Sequence, residues 1–516
     1  MTSESRPPFD ELAAPPESGG VLIVPQLDRW PGLIEENRRR LASLQRFDEP
    51  PSLATPAGEP AILLGHQPDF FHPGVWIKSV AASHAASAIG GRAEFLVADH
   101  DDADGLRLRW PARDGDIWIA RAQNMGPAGP GCTFEHEPPR SAAHWREAWQ
   151  GVSAEYDRSD TGLADFISGF FDADRTSGHP DYVDRWMAGV IALDRRIGLV
   201  TPVMRRASRL SSSPRPARMT WGGFVTYVVK RHAEFAAAYN AALQAYRAAR
   251  GISGDSRPIP DLLVSPDRVE LPFWIHRRDH PRGRLYLTCE GGQSVLWAAD
   301  LRAAALPSDG PISPHGELGG WCIRPRALTL TMYARLFLCD LFVHGLGGAK
   351  YDVVTDDLIR RFIGIEPPAY VCVTATLRLP LDSRNVSQAE LAQAMRGVRD
   401  TVHNPQRWLL DSAPAAELLS ERAAAIAESE RLRRECRDQH LARRRIFDRI
   451  HQLNARLHDL DPDMDARAQT RITDVRRHLA SRAVASSREW FYALHHLPDL
   501  RRLADQIRDL RRGASS

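Results

Sequence analysis

The stretch AILLGHQPDFFHPGVWIKSVAASHAASAIGGRAEFLVADHDDADG, residues 61–105, decides how the chain is read. AILLG (61–65) is a short apolar run that ends in glycine, as a buried strand does. HQPDFFHPG (66–74) is rich in breakers and reads as a loop. VWIKSVAASHAASAIG (75–90) has helical spacing and closes on Gly90-Gly91, a C-cap signal. AEFLVADHDDADG (93–105) is a second apolar strand that runs into an acidic loop. Strand, loop, helix and strand in succession make a βαβ unit, which implies a parallel sheet.

Outward from this unit, residues 1–58 are rich in Pro, Glu and Ser and read as an N-terminal arm with one helical stretch, WPGLIEENRRRLASL (30–44). LRLRW and DIWIA (106–120) read as further strands. Residues 140–250 are mostly helical and rich in Trp and Arg, a helical insertion in an α/β core spanning 59–385. Residues 252–326 alternate short strand-like pieces with turns. ALTLTMYARLFLCDLFVHGLGG (327–348) is expected to be one helix stopped by glycines. TDDLIRRFIGI (355–365) is expected to be another, with Thr355 as N-cap, before the β-branched strand PPAYVCVTATLRLP (367–380). Residues 386–516 are rich in Ala, Glu, Arg and Leu and read as a C-terminal α-helical coiled-coil arm. Its seam is a candidate homodimer contact.

Composition narrows the function classes. The chain has 516 residues, 43% hydrophobic and 26% charged, an ordinary globular balance. A net charge of +2 supplies no basic field for nucleic acid or an anionic membrane. No apolar run approaches the ~18 residues that span a bilayer, and no secretory signal is visible. The six cysteines form no CxxC pair, which favours a reduced, cytoplasmic protein without disulfides. Of 67 basic residues, lysine accounts only for Lys78, Lys230 and Lys350. Codon bias explains the bulk ratio. A lysine is nonetheless a point charge with a titratable amine, which arginine cannot replace.

Three blocks could carry chemistry. In the first, His66, Gln67, His72 and Lys78 surround a turn between a strand and a helix, where backbone amides and the helix dipole favour an anion. In the second, Asp99, His100, Asp101, Asp102 and Asp104 crowd a strand end, a set suited to acid/base work or a divalent metal. The third is His344-Gly345-Leu346-Gly347-Gly348-Ala349-Lys350-Tyr351-Asp352, where glycines let the backbone approach a ligand closely. Arg324, just before it, is a candidate anion clamp. Arg205, Arg206, Arg209, Arg215 and Arg218 flank a Ser/Pro loop and read as solvated.

The order of these blocks resembles the bacillithiol biosynthesis cysteine-adding enzyme family, whose members join L-cysteine to glucosaminyl-malate. The resemblance rests on GHQPDFFHPGVWIK (65–78), VADHDDAD (97–104), IRPRALTLT (323–331), HGLGGAKYD (344–352) and EPPAYVCVTATLRL (366–379), with REWFYALHHLPDLRRL (488–503) as a closing helix. His66 stands where the family has a first Gln, His72 is extra, and Asp99 takes the place of a Glu. The resemblance implies a Rossmann-like core with helical insertions, a dimerising coiled coil and a ligase activity.

The expectation is therefore a ligase-type enzyme. Asp99, His100, Asp101 and Lys350 are the expected catalytic groups. His66, Gln67, His72, Lys78, Arg324, His344, Gly347, Gly348, Tyr351 and Asp352 are expected to bind small-molecule substrates. No metal ligand is assigned. Amide formation needs an activated acyl donor, for which a nucleotide is a candidate cofactor. Two other readings stay open: a metal-dependent hydrolase or phosphoesterase on Asp99, His100, Asp101 and Asp102, and a non-enzymatic scaffold that acts through its helical arm.

Overall fold

The computed structural model describes residues 9–42, 44, 58–126, 131–136, 140–156, 160–176, 179–212, 219–252, 259–307, 310–409, 415–435 and 439–512. Most of residues 45–58, part of the expected N-terminal arm, and the predicted arginines Arg215 and Arg218 lie outside them.

The βαβ stretch forms β2 (Ala61–His66), α2 (Pro73–Ala88) and β3 (Arg92–Val97). β2 and β3 are parallel, with Gly65 opposite Leu96 and His66 opposite Val97. Ala61–Leu64 and Phe95–Val97 are buried, as strands covered on both faces require. The full sheet adds β1 (Gly20–Val24), β6 (Val203–Arg206), β13 (Leu341–His344) and β14 (Tyr370–Thr376) in the order β1-β14-β13-β2-β3-β6. All neighbours are parallel except β1, which runs antiparallel to β14 at the edge. The compact unit that holds this sheet also carries the helices α1 (Trp30–Ala42), α3 (Ala142–Glu155), α4 (Leu163–Thr176), α5 (Tyr182–Ile197), α6 (Trp221–Lys230) and α7 (His232–Arg250).

The strand order contains a reversal. From β2 the chain adds β3 and β6 on one side, then returns to place β13 and β14 on the other. In open α/β sheets a ligand crevice opens at the carboxyl ends of the strands where the order reverses. Here that point lies between β2 and β13.

The expectation of a Rossmann-like parallel-sheet core with helical insertions and a coiled-coil arm is corrected. Residues 269–325 build a second sheet of six strands, all neighbours antiparallel: β7 (Val269–Arg277), β8 (His280–Glu290), β9 (Gln293–Ala298), β10 (Leu301–Ala305), β11 (His315–Leu318) and β12 (Trp321–Pro325), in the order β10-β9-β8-β7-β12-β11. The fold is mixed α/β. Alternation and tight turns announce these strands, but which strands pair is a non-local property.

A second correction concerns residues 327–348. They form α8 (Ala327–Tyr333), a π-helical turn (Ala334–Leu338) and then strand β13. A fully buried apolar run carries no periodicity that separates strand from helix. The glycine block thus follows a strand and opens α9 (Leu346–Leu358). Thr355 lies inside α9 rather than at an N-cap, and a second π-helical turn (Ile359–Ile363) follows.

The chain divides into two compact units. The first comprises residues 1–110, 122–379 and 488–516, with both large sheets and the last helix, α14 (Leu497–Arg512). The expected N-terminal arm instead supplies β1 to the main sheet. The second unit comprises residues 111–121 and 380–487. It holds α10 (Gln388–His403), α11 (Ala416–Glu435), α12 (His440–Asp459) and α13 (Met464–Ser486). The hairpin of β4 (Arg107–Asp114) and β5 (Ile117–Asn124) places its tip there too. Among the described residues these helices show no coiled-coil arm. α10 packs on α13 and α11 on α12. The buried faces include Arg422, hydrogen-bonded to Asn454 Oδ1 at 2.6 Å, while Leu441 and Phe447 stay exposed.

Candidate functional site

The reversal between β2 and β13 opens into a cavity of about 580 Å³, within the range of small-molecule sites. Gly65, His66, Leu96, Phe342 and His344 line it from the parallel strands, with Gln67, Ala98, His100 and Asp101 from the loops beyond them. Gly348, Tyr351 and Asp352 line it from α9. The facing wall is mostly apolar: Trp274 and Pro325 from the antiparallel sheet, Leu328, Leu330 and Thr331 from α8, Tyr239 from α7, and Ile259 with Pro260. All three sequence blocks reach this one cavity.

His344 ends β13 and is buried. Its Nε2 lies 2.9 Å from Asp352 Oδ2, two turns along α9. Arg335, within the first π-helical turn, donates to the same Oδ2 at 2.5 Å and to Asp356 Oδ1 at 2.6 Å. It also donates to the Pro368 carbonyl. Burial disfavours the Asp352 charge, but the Arg335 guanidinium and then His344 outweigh it and hold the carboxyl well below its usual range. A carboxylate that fixes one imidazole nitrogen leaves the other to act on a ligand, the arrangement of a general base. That other nitrogen, Nδ1, lies 2.6 Å from where a Cβ on Gly348 would stand. Only glycine fits there.

The acidic loop divides by role. Asp99 is fully buried and does not line the cavity. It accepts from Arg206 Nε at 2.6 Å, from the Ser208 hydroxyl at 2.5 Å and from the Ser208 amide at 2.8 Å. Arg206, read as solvated, is thus a buried counter-ion. Asp101 accepts from Gln67 Nε2 at 2.6 Å and from Arg282 at 2.7 Å. Burial works against its charge, yet Gln67 and Arg282 together hold its carboxyl below the ordinary value. His100 is buried, and burial pulls its imidazole down despite the Asp99 carboxylate. Its Nδ1 has no hydrogen-bond partner.

The first block is likewise divided. The Nδ1 of His66 donates to the Gln67 carbonyl at 3.0 Å. Burial, then the Lys78 ammonium, pulls it down to about 4, so it is neutral at pH 7. Lys78 is buried beneath the strand end and donates to the Gly65 carbonyl at 3.1 Å. Burial lowers its ammonium to about 8. His72 does not reach the cavity. It caps α2, accepting from the Gly74 amide at 3.0 Å, and pairs with Glu489 at 3.2 Å.

Arg324 is a buried partner of Glu135, with Nε–Oε1 and NH2–Oε2 distances of 2.9 Å. Arg326, past the strand end, lines the cavity instead and pairs with Glu270 at 2.6 Å. Lys350 and Gly347 lie on α9 away from the cavity wall. Lys350 acts with Lys78 on Cys372, where burial pushes the thiol up to about 12 against both ammoniums.

Sequence reasoning missed Trp274, Tyr239 and Arg335. Trp274 carries Arg282 at 4.5 Å and Arg326 at 5.0 Å from its ring centre. No motif marks it or Tyr239. Arg335 had a signal: a lone charge in an apolar run must be buried with a partner.

Among the described residues no group of three or more His, Cys, Asp or Glu side chains could hold a metal ion, and no helix is long and apolar enough to cross a membrane. Set against known proteins, the chain matches no family model and no curated sequence.

Proposed function

We propose that the cavity is the active site of a ligase-type enzyme. It would join an amino acid, cysteine by the resemblance, to an amine-bearing small-molecule acceptor of the glucosaminyl-malate kind, in the cytoplasm. The observation that carries this reading is the His344–Asp352 pair held by Arg335 at the strand reversal. Amide formation needs a base for the attacking amine. The amine nitrogen bonds to the carbonyl carbon of an activated acyl group, such as an acyl phosphate. The surplus proton passes to His344 Nδ1, and the leaving group departs with the electrons of its bond to that carbon. Asp352 stabilises the imidazolium that forms. His66, neutral at pH 7, and Gln67 orient the substrates as hydrogen-bonding groups.

The metal-hydrolase reading is weaker on the same geometry. Asp99 is neutralised by Arg206, and Asp101 and Asp102 by Arg282. Carboxylates bound by guanidiniums make poor ligands for a cation.

The test is to incubate purified protein with L-cysteine, ATP and an amine-bearing sugar acid, and to follow the conjugate by mass. Product is expected, and His344→Ala should slow it by roughly 10²- to 10⁴-fold, the usual worth of a general base. Absence of any conjugate, together with a phosphoesterase activity that requires added manganese or zinc, would reverse the choice.

A further inference from the structure

Two polar side chains outside the three sequence blocks also line the cavity: Tyr239 of α7, and Arg326 between β12 and α8. Both are buried, Tyr239 at 2% and Arg326 at 7% exposure. The Tyr239 hydroxyl has no hydrogen-bond partner among the described residues. Burial, its largest influence, raises the phenol above its ordinary value, so at pH 7 the hydroxyl carries its proton and can donate. A buried donor without a partner is costly, so one that lines a cavity points to a ligand.

Arg326 has capacity to spare as well. Of its five N–H groups, one is donated to Glu270 Oε1 at 2.6 Å, and the guanidinium rests 5.0 Å from the centre of the Trp274 ring. Glu270 is fully buried and also faces Arg284 at 3.5 Å. One carboxylate thus answers two guanidiniums, which leaves positive charge in excess. The next pair out, Arg247 with Asp261, is balanced. Arg326 and Glu270 both act on the Tyr239 phenol, so the three groups are neighbours. The rest of this wall is hydrocarbon, from Ile259, Pro260, Pro325 and Leu328.

We propose that Tyr239 and Arg326 bind a carboxylate of the substrate, and that the apolar wall around them selects an acid with a hydrocarbon body over a polyhydroxy one. The carboxylate accepts from the Tyr239 hydroxyl and from the N–H groups of Arg326 that Glu270 leaves, whose planar fork matches its two oxygens. A polyhydroxy body leaves hydroxyls unpaired against hydrocarbon, which is costly. This rests on reading the cavity as the active site and narrows its acceptor: an amine for His344 and an acid for Tyr239, joined by an apolar body in place of a sugar.

Isothermal titration of the full-length protein tests this with three amine-bearing probes. Tranexamate has an amine, a carboxylate and a cyclohexane body. Cyclohexylmethylamine lacks the carboxylate, and glucosaminate carries both groups on a polyhydroxy body. Wild-type protein is expected to bind tranexamate about tenfold more tightly than either of the others. Tyr239→Phe and Arg326→Met should each weaken tranexamate several-fold and leave cyclohexylmethylamine unchanged, since that probe makes neither bond. If Arg326→Met fails to fold, Tyr239→Phe, which removes a single unpartnered hydroxyl, carries the test. Three results would overturn the proposal: wild-type protein that binds none of the probes, glucosaminate bound as tightly as tranexamate, or variants that keep the full preference for tranexamate over cyclohexylmethylamine. The ligase reading fails separately. Tranexamate binding with no conjugate formed from cysteine and ATP removes the ligase and leaves the subsite. Conjugation of glucosaminate but not of tranexamate removes the subsite and leaves the ligase.

Discussion

At the scale of single residues, His344 shows how a side chain is set by its neighbours on both sides. Asp352 holds one ring nitrogen, and Gly348 leaves room for the other. Gly348→Ala would put a methyl 2.6 Å from Nδ1, so the ring must turn away from Asp352 or the helix must shift. A loss of conjugate formation comparable to that of His344→Ala is expected, with a near-wild-type circular dichroism spectrum. Activity retained by Gly348→Ala would mean that Nδ1 does no chemistry. His72 offers a pH test. Burial first, then Arg488, His66 and Lys78, pull its imidazole down from 6.5 to about 3. The unfolded chain therefore binds the extra proton in that window, and stability is full above about pH 6.5 and falls as the pH drops toward 3. His72→Asn keeps an N-cap oxygen but does not titrate. Its melting temperature should fall less between pH 7 and pH 4.5 than that of the wild type. Equal falls would show that His72 is not held neutral.

At the scale of elements, the π-helical turn after α8 matters most. It sets Arg335, 1% exposed, against Asp352, Asp356 and the Pro368 carbonyl. Such turns recur at functional sites. Arg335→Met would leave two buried carboxylates without their cation, a loss on the order of 3–5 kcal/mol. Chemical denaturation should register it as a lower midpoint. A change below 1 kcal/mol would mean that water or rearrangement replaces the guanidinium. Strand β13 is the element that was hardest to read. LFVH is apolar, short and fully buried, and only its pairing with Ile62–Leu64 on one side and Tyr370–Cys372 on the other makes it a strand.

At the scale of the molecule, every residue lining the cavity belongs to the first unit. The helical unit has its own buried positions, among them Leu453, Leu457 and Met464. Leu457→Ala should destabilise that unit by about 2–5 kcal/mol, as a large-to-small change at a fully buried site does. Limited proteolysis should then cut α11–α13 faster than in the wild type. Equal cutting of the variant and the wild type would mean that the packing around Leu457 closes over the lost side chain.

The sequence by itself determined the βαβ unit at 61–105, because breakers, caps and apolar runs act within a few residues of one another. It also marked His66, Gln67, His100, Asp101, His344, Gly348, Tyr351 and Asp352, which come together at one cavity. Tertiary structure alone decided the rest. It paired β13 with β2, folded residues 269–325 into a separate antiparallel sheet, and returned the last helix to the first unit. It buried Asp99 against Arg206 and Arg324 against Glu135, so those charges hold the fold and do not face a ligand. The reason is physical. A charge declares itself in the sequence, but its counter-ion lies tens or hundreds of residues away, and only the packed chain brings the two together.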